Sequence, residues 1–309
     1  MKTYEAAVIG GGPAGLTAAL YLARSRVSTV LVEKLSPGGQ VLMTEDIENY
    51  PGFPQPIKGY ELVDKFVEHL ATYQLDRLND EVREMTPVDG GYRIQVGEET
   101  IEAKTVILCS GARYKRVGIP GEEKYTGRGV SYCALCDGNF FKGKAVAVIG
   151  GGNSALEESL YLARIVDSIQ LIHRRDEFRG AKCYQEKCFT HPKIHVLRST
   201  VVDEILGDPF KGVTGVRLVD LKTGAKSELA LDGVFVFVGF EPLASFVPAT
   251  LERDRAGFVI TDCEMRTNLP GFFAAGDVRS KNCRQVATAV GDGATAATAA
   301  HSYLEHLNA

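Results

Sequence analysis

The chain has 309 residues, an apolar content of 45% and a formal net charge of −4 at pH 7, which is typical of a globular protein of about two domains. That charge gives no general case for a nucleic-acid partner or an anionic membrane, and the longest strongly apolar run, residues 234–238, is far too short to span a membrane. The first predicted strand begins at Tyr4, which leaves no room for a signal peptide. We therefore expect a cytoplasmic protein whose seven cysteines do not form a disulfide framework.

The N-terminal region predicts the front half of a dinucleotide-binding unit. Its elements are a strand over 4–9, a helix over 13–25 and a strand over 28–33. The turn Gly10-Gly11-Gly12-Pro13-Ala14-Gly15 joins the first strand to the helix, and its spaced glycines allow the backbone to approach a pyrophosphate closely. A side chain at Gly10 is expected to intrude on that pyrophosphate. Glu33, at the end of the second strand, would accept a hydrogen bond from a ribose 2′-hydroxyl and repel a 2′-phosphate.

The next part of the chain predicts a loop, a helix and two strands. The loop carries Pro37-Gly38-Gly39-Gln40 and Asn49-Tyr50-Pro51-Gly52, and the helix lies near 58–74. Strands follow over 92–96 and 105–109, and Ser110-Gly111 closes the second of them.

The dinucleotide pattern then recurs at an offset of 140 residues. Residues 148–152 repeat residues 8–12, in a strand over 145–149, a helix over 153–165 and a strand over 168–172. This second turn has Gly150 and Gly152, with Ala155 where a third glycine usually stands, and Asn153 and Ser154 open the helix. At the position equivalent to Glu33, the repeat has His173-Arg174-Arg175, followed by Arg179. This basic cluster would bind a 2′-phosphate through charge-assisted hydrogen bonds, so the two units favour different dinucleotides.

Between the two turns lies Cys133-Ala134-Leu135-Cys136-Asp137, for which three interpretations are open. A zinc site needs two further ligands, and the nearest set is Cys183, Cys188, His191 and His195. On the predicted helix over 181–189, Cys183 and Cys188 would point away from one another. Two inert buried thiols are the second interpretation, and a redox-active dithiol is the third. The adjacent Asp137 favours the redox dithiol.

The C-terminal region predicts a strand over 233–238, a further strand in Gly271-Phe272-Phe273-Ala274-Ala275-Gly276-Asp277, and an alanine-rich helix over about 285–306. It has no glycine-rich turn of its own, so it is expected to complete the first domain. The sequence thus predicts one domain split between 1–113 and 243–309, with a second domain, 114–242, inserted into it.

A flavin is the expected intermediary between the nucleotide and the dithiol. A hydride donor does not readily pass two electrons to a disulfide, whereas a flavin accepts hydride and then bonds to sulfur. FAD is therefore expected at the Glu33 site, where Asp277 would bond a ribityl hydroxyl.

Taken together, these motifs resemble the low-molecular-weight, bacterial-type NADPH-dependent thioredoxin reductases over essentially the whole chain. The matching stretches are the first glycine turn, Gly38-Gly39-Gln40, Glu48-Asn49-Tyr50-Pro51-Gly52, Arg128-Gly129-Val130-Ser131, the cysteine motif through Gly138, His173-Arg174-Arg175-Asp176-Glu177-Phe178-Arg179, Ala275-Gly276-Asp277 and Arg284-Gln285. It implies an α/β fold of two Rossmann-like domains of the three-layer ββα type. FAD would occupy the split domain, NADPH the inserted one, and the FAD domains would form a homodimer.

The resemblance also implies roles for individual residues. Cys136 would face the flavin, Cys133 would attack the disulfide of thioredoxin or a thioredoxin-like protein, and Asp137 would be the general acid. The implied FAD contacts are Gly10, Gly12, Pro13, Ala14, Gly15, Glu33, Gly39, Gln40, Asn49, Ser110, Gly111, Gly276, Asp277, Arg284, Gln285 and Val286. The implied NADPH contacts are Gly150, Gly152, Asn153, Ser154, His173, Arg174, Arg175 and Arg179, and no metal is expected.

Three other functions stay open at this point. A dithiol oxidase that uses oxygen has no need of the basic cluster, and the same cluster disfavours a ferredoxin-fed reductase. A redox-sensing module would bind NADPH without turnover. The sequence leaves open the acceptor protein and any redox role of Cys109, Cys183, Cys188, Cys263 and Cys283.

Overall fold

The computed structural model describes residues 1–44 and 46–307, apart from the side chain of Met43. The strands are β1 (Lys2–Ile9), β2 (Thr29–Val32), β3 (Asp46–Ile47), β4 (Ile57–Lys58), β5 (Asp76–Leu78), β6 (Val82–Val88), β7 (Gly91–Val96), β8 (Glu99–Leu108), β9 (Ala112–Tyr114), β10 (Val130–Ser131), β11 (Ala145–Gly150), β12 (Ser168–Ile172), β13 (Ile194–Leu197), β14 (Thr200–Asp208), β15 (Gly212–Asp220), β16 (Lys226–Ala230), β17 (Gly233–Phe237), β18 (Phe240–Pro242) and β19 (Phe272–Ala274). The α-helices are α1 (Pro13–Arg24), α2 (Gly59–Ala71), α3 (Glu122–Tyr125), α4 (Ala134–Asp137), α5 (Asn153–Leu162), α6 (Lys182–Phe189) and α7 (Val286–Leu307). Short 3₁₀ turns cover Gly39–Met43, Gly138–Phe141 and Gly276–Val278.

The chain divides into two compact units. The first, which we call the split unit, comprises Met1–Arg113 and Glu241–Ala309, and the second, the inserted unit, comprises Tyr114–Phe240. The chain passes between them at β9 and β18, and these two strands pair with each other. The last two residues of the predicted split domain, 308 and 309, lie outside the described residues.

The split unit is built on a seven-stranded sheet in which β5, β2, β1 and β8 run parallel. Strand β8 is long enough to pair with β7 through residues 99–103 and with β19 through residues 106–108. Alternate residues of β1 face opposite sides of the sheet, as the period of two in a strand requires. Ala7 and Ile9 join the core beneath the β6–β7 hairpin, whereas Ala6 and Val8 pack against α1 and α7.

Helix α7 packs closely on the beginning of α1. A Cβ at Gly293 would clash with the backbone oxygen of Ala14, so only glycine allows this approach. Alanines such as Ala296 and Ala300 are fully buried at the same interface, which explains the alanine-rich composition of the predicted C-terminal helix.

The inserted unit repeats the layered arrangement on a smaller scale. Its five-stranded parallel sheet has the order β10-β17-β11-β12-β13, and a separate antiparallel sheet has the order β14-β15-β16. One face of the parallel sheet, including Val146 and Val148, packs on α5 and α6. The other, including Ala147 and Ile149, packs on the antiparallel sheet.

Several predicted boundaries differ from the structure. The helix predicted over 153–165 ends at Leu162, because the amides of Arg164 and Ile165 bond to carbonyls three residues back and tighten the chain into a turn. The helix predicted over 58–74 ends at Ala71 for the same reason, since the Thr72 amide bonds to the carbonyl of His69. The strand predicted over 105–109 is the second half of β8. In the described part of the chain, no helix is both long and apolar enough to cross a membrane.

Candidate functional site: a dithiol and two glycine turns

Cys133 and Cys136 form a disulfide at the two ends of the first turn of α4, with their Cα atoms 5.3 Å apart. Cys133 is the N-cap of this short helix, and its sulfur accepts the amide of Cys136 at 3.1 Å. The two thiols are therefore close enough to interconvert between disulfide and dithiol, which inert, separated cysteines are not. Among the described residues no cluster of histidine, cysteine and acidic side chains could hold a metal ion.

The carboxylate beside the disulfide is held in a dry environment. Burial raises the pKa of Asp137 above the ordinary range, and a hydrogen bond from Ser131 partly offsets that rise. The Ser131 hydroxyl donates to Asp137 Oδ2 at 2.6 Å and accepts the amide of Cys133 at 3.1 Å. A carboxyl with a raised pKa retains its proton to higher pH, which suits it to proton donation to a departing thiolate.

Ser131 is a residue to which the sequence analysis gave no role. It is buried at the end of β10 and bonds both to the first cysteine and to the acid. Its signals in the sequence were its place in the Arg128-Gly129-Val130-Ser131 motif and its position two residues before Cys133, and neither specified a bond to the acid.

The second glycine turn lies where β11 meets α5 in the inserted unit. A Cβ at Gly150 would lie 2.6 Å from both the Cβ of Ala155 and the carbonyl oxygen of Phe237, so Gly150 permits the strand and helix to pack. At Gly152, the N-cap of α5, a Cβ would meet nothing within 4 Å. No side chain caps this helix and no acidic residue lies in its first turn. The turn therefore leaves amide donors for an anion.

His173 lies under this turn and is only 6% exposed. Its Nε2 lies 3.0 Å from the carbonyl oxygen of Glu177, and its ring occupies the space that a side chain at Gly151 would need. Burial, together with the nearby arginines, lowers the pKa of His173, although the bond to Glu177 opposes this. The structure thus gives His173 a packing role, and its predicted contact with a 2′-phosphate stays a prediction.

The three arginines of the basic cluster, Arg174, Arg175 and Arg179, are exposed. Within residues 1–44 and 46–307, none of the three forms a salt bridge, so their charge is available to an anionic ligand. Asn153 and Ser154 lie at the start of α5, where the Asn153 side-chain oxygen accepts the amide of Ala181 at 2.7 Å. That bond holds the chain beyond Arg179 against the glycine turn.

In the split unit, the first glycine turn joins β1 to α1. A Cβ at Gly10 would clash with the carbonyl of Cys109, and one at Gly15 would clash with the carbonyl of Gly10. A side chain at Gly10 would thus meet the backbone that follows β8, and its predicted intrusion on the pyrophosphate stays a prediction. Gly12 is the open position: a Cβ there would meet nothing within 4 Å.

Glu33 lies beside this turn at the end of β2. Its Oε2 accepts the amide of Gly11 at 2.7 Å, and its Oε1 accepts the amide of Leu35 at 2.9 Å. Each carboxylate oxygen can accept a second hydrogen bond, so both remain able to bind ribose hydroxyls.

Two buried polar atoms of the split unit, which follow the ends of β8 and β19, have no hydrogen-bond partner among the described residues. They are Ser110 Oγ, after β8, and Asp277 Oδ1, after β19. Burial raises the pKa of Asp277, and the positive charges of Lys281 and Arg284 oppose that rise. Buried polar atoms are almost always hydrogen-bonded, so these two atoms fit a bound ligand with polar groups, such as the ribityl chain of a flavin dinucleotide.

The other predicted residues of the split unit are spread over several segments. Gly39 follows the turn residue Gly38, and a Cβ on Gly39 would lie 3.6 Å from the Cα of Gly12. Gln40 donates its amide to the carbonyl of Ala112, next to Gly111. Asn49 donates to the Gln285 side-chain oxygen at 3.0 Å. Pro13 and Ala14 open α1, Gly276 begins the 3₁₀ turn after β19, and Arg284 and Gln285 precede Val286 at the start of α7.

A buried ionic cluster that sequence reasoning missed supports this end of the split unit. The carboxylate of Asp292 accepts hydrogen bonds from the side chain of Arg279 at 3.1 Å, the side chain of Lys281 at 2.7 Å and the backbone amide of Gly276 at 3.1 Å. A lone acid on an otherwise apolar helix face was its only signal in the sequence. The cluster fixes the segment that carries Asp277.

The remaining cysteines do not form a second pair. Cys109 and Cys188 are buried, and Cys183, Cys263 and Cys283 are exposed. Burial raises the pKa of Cys188 to about 11 and raises that of Cys109 as well, so neither thiol ionises readily. Because Cys183 is exposed on α6 while Cys188 is buried, they do face different ways, as the helical spacing predicts.

The known proteins that are similar to this chain agree with the geometry of its disulfide and glycine turns. Residues 4–293 match the family described as pyridine nucleotide-disulphide oxidoreductase. The chain is 42% identical over 306 residues to the thioredoxin reductase of Listeria innocua, with 99% of this chain and 95% of the relative covered. It is 43% identical over 308 residues to that of Bacillus subtilis, with coverages of 99% and 96%.

A solved structure extends the similarity to the fold. The crystal structure of thioredoxin reductase from Streptococcus pyogenes has a TM-score of 0.93 and 43% identity, with 98% of this chain and 99% of that chain covered. The chain is thus an oxidoreductase of the two-domain Rossmann-type α/β class. It belongs to the pyridine nucleotide-disulphide oxidoreductase family and, within it, to the thioredoxin reductases. The resemblance and the fold class predicted from the sequence are confirmed, and membership implies a flavin and a pyridine nucleotide as electron carriers.

Proposed function

We propose that this protein reduces the disulfide of thioredoxin with electrons from NADPH. FAD binds in the split unit and NADPH in the inserted unit. The observation that carries the proposal is the Cys133–Cys136 disulfide beside the buried Asp137, in a chain that also has one glycine turn beside Glu33 and one in the unit that carries three exposed arginines.

The charge at the end of the second strand of each unit supports this assignment of the two nucleotides. Glu33 holds a carboxylate beside the first turn, which favours ribose hydroxyls and disfavours a 2′-phosphate. Three exposed arginines without salt bridges among the described residues follow β12 in the inserted unit. Guanidinium groups bind phosphate in a bidentate manner, which favours NADPH over NADH there.

The chain's own groups then account for the exchange with thioredoxin. FAD, when bound in the split unit, would supply two-electron redox chemistry between NADPH and the Cys133–Cys136 disulfide. The Cys133 thiolate attacks the thioredoxin disulfide, one thioredoxin sulfur leaves, and a mixed disulfide forms. Cys136 then attacks Cys133, which restores the internal disulfide and releases the second thioredoxin sulfur. Asp137 donates a proton to a departing thiolate, so that NADPH and one solvent proton yield NADP⁺ and the thioredoxin dithiol.

We also propose that the protein acts in the cytoplasm as a homodimer formed through its split units. The molar mass in solution, measured by light scattering, tests the dimer directly. A mass equal to that of one 33.5 kDa chain at micromolar concentration would contradict it.

The decisive experiment is NADPH oxidation by the purified protein with a panel of oxidised acceptors. We expect rapid turnover with thioredoxin, and the panel should include a glutaredoxin-like protein and a peroxidase component. A further reaction with oxygen as the only acceptor tests for a dithiol oxidase. Turnover with oxygen but with no protein disulfide would favour the oxidase, and tight NADPH binding without turnover would favour a redox sensor.

A further inference from the structure

Asp176 lies within the sequence of the basic cluster, but its carboxylate is bound by residues outside the cluster. It follows Arg175 directly and precedes Arg179, so its carboxylate is close in sequence to guanidinium groups that could bind it. Its Oδ1 instead accepts the hydroxyl of Ser199 at 2.6 Å and lies 2.6 Å from Nζ of Lys222. Both bonds draw the carboxylate toward the antiparallel sheet of the inserted unit.

The two partners of Asp176 are themselves fixed by the backbone. Ser199 lies between β13 and β14, is buried, and has a positive φ of 47°, a conformation that few residues other than glycine adopt. Its amide donates to the carbonyl of Arg175 at 3.2 Å, and its carbonyl accepts the amide of Leu221 at 2.7 Å. The backbone amide of Lys222 donates to Asp220 at 2.8 Å within the turn between β15 and β16.

The consequence is electrostatic. An unengaged carboxylate beside three arginines would form the same bidentate pairs that a phosphate forms, and would compete with it. With Asp176 neutralised by Lys222, none of the three arginines has a salt-bridge partner among the described residues. The positive charges of the three arginines therefore remain available to a ligand.

We propose that Lys222 and Ser199 are specificity-determining positioning residues, which hold Asp176 away from the basic cluster so that the cluster selects a nucleotide with a 2′-phosphate. This inference deepens the proposed function and rests on the NADPH site assigned there. Lys222 acts through Asp176 and touches neither the nucleotide nor the reacting atoms.

The test measures binding of adenosine 2′,5′-bisphosphate and of 5′-AMP to the purified protein by calorimetry. In Lys222→Ala, affinity for the bisphosphate should fall about two- to fivefold, the range that an exposed ion pair supports. Affinity for 5′-AMP should not change. In turnover, KM for NADPH should rise by the same factor while kcat stays at the parent value. Lys226→Ala is the matched control, because Lys226 forms a similar exposed pair with Asp203 on the same sheet.

The double variant Lys222→Ala with Asp176→Asn separates the proposed mechanism from a direct effect of the lysine charge. If Lys222 works by restraining Asp176, removal of the carboxylate charge restores the parent affinity for the bisphosphate. If the double variant stays as weak as Lys222→Ala, the lysine attracts the phosphate itself and the inference is wrong. An unchanged bisphosphate affinity in Lys222→Ala also overturns it. Failure of the parent protein to prefer the bisphosphate over 5′-AMP would instead remove the NADPH site itself.

Discussion

Ser131 and Asp137, which flank the Cys133–Cys136 disulfide in the sequence, share a 2.6 Å hydrogen bond. The same serine hydroxyl accepts the amide of Cys133 and so ties the acid to the first cysteine. Two opposing effects therefore set the pKa of Asp137: burial raises it, and the serine hydroxyl lowers it by binding the ionised form.

Replacement of Ser131 by alanine should shift the pH dependence of thioredoxin reduction to higher pH. Without the hydroxyl only burial acts, so the pKa of Asp137 rises further. A general acid works while it is protonated, so the rate falls as pH rises through its pKa, and that fall should occur later in the variant. Rates of thioredoxin reduction across the pH range measure the midpoint. Thr190→Ala, which removes a hydroxyl bound to the carbonyl of Glu186, is the control, and equal midpoints in all three proteins would contradict this role for Ser131.

Asp137→Asn should slow thioredoxin reduction by about 10²–10⁴-fold, the usual contribution of a general acid. It should also make the protein more stable above the folded-state pKa of Asp137. Because that pKa is raised, the contribution of Asp137 to stability is fully present below the unfolded-state pKa and is lost as pH rises through the folded-state pKa. Thermal midpoints of the variant and parent should therefore agree at acidic pH, diverge between the unfolded-state and folded-state pKa values, and differ by a constant amount above the latter. A constant difference at all pH values would show that ionisation of Asp137 has no effect on stability.

Cys133→Ser and Cys136→Ser should each abolish thioredoxin reduction, while NADPH still reduces the flavin in a single turnover. Cys183→Ser is the matched control, because Cys183 is an exposed free thiol in the same unit. Stopped-flow flavin absorbance and steady-state NADPH oxidation measure the two half-reactions separately. Substantial thioredoxin-dependent turnover in either variant would exclude a two-cysteine relay.

The elements that the sequence predicted well are those that local patterns specify. The two glycine turns, each between an apolar strand and a helix, placed β1, α1, β11 and α5, and the cysteine spacing predicted the disulfide pair. The sequence did not predict the contacts that depend on residues far apart along the chain. The bond between Asp176 and Lys222 and the buried cluster around Asp292 join side chains from separate elements, and neither is a motif.

Gly10 shows that distant contacts are also missed within a motif. Its place in the turn suggested a ligand contact, whereas the nearest described neighbour of a side chain there is the carbonyl of Cys109, which directly follows β8. Spacing along the chain identified the turn correctly but did not show which neighbour occupies the space beside each glycine.

Arg174→Ala combined with Arg175→Ala should remove most of the preference for NADPH over NADH. Loss of two charge-assisted contacts of roughly 1.5–3 kcal/mol each would raise KM for NADPH by about 10²–10⁴-fold if the contributions added. KM for NADH should change little, since NADH has no 2′-phosphate. Arg164→Ala, an exposed arginine of the same unit outside the cluster, is the control. If the parent protein used both nucleotides equally well, the cluster would have no role in nucleotide choice.

Gly12→Val should separate the fold of the first turn from its ligand. Gly12 has a φ of −74°, which any residue adopts, and a Cβ there meets no atom within 4 Å, so the apoprotein should fold normally. A bound pyrophosphate at the N-terminus of α1 would need the same space. Affinity of the apoprotein for FAD should therefore fall by about tenfold or more, since each 1.4 kcal/mol of lost binding free energy is tenfold in affinity.

Two further glycine variants complete that experiment. Gly10→Val should lower the thermal midpoint of the apoprotein itself, because its side chain meets the backbone of Cys109 and φ at Gly10 is 107°. Gly291→Val, at a helical position where a Cβ also meets nothing within 4 Å, should keep full flavin occupancy. Circular dichroism of the apoproteins and flavin absorbance of the reconstituted proteins distinguish the three variants. If Gly12→Val retains one FAD per chain, the pyrophosphate does not lie over this turn, and the flavin site in the split unit must be assigned elsewhere.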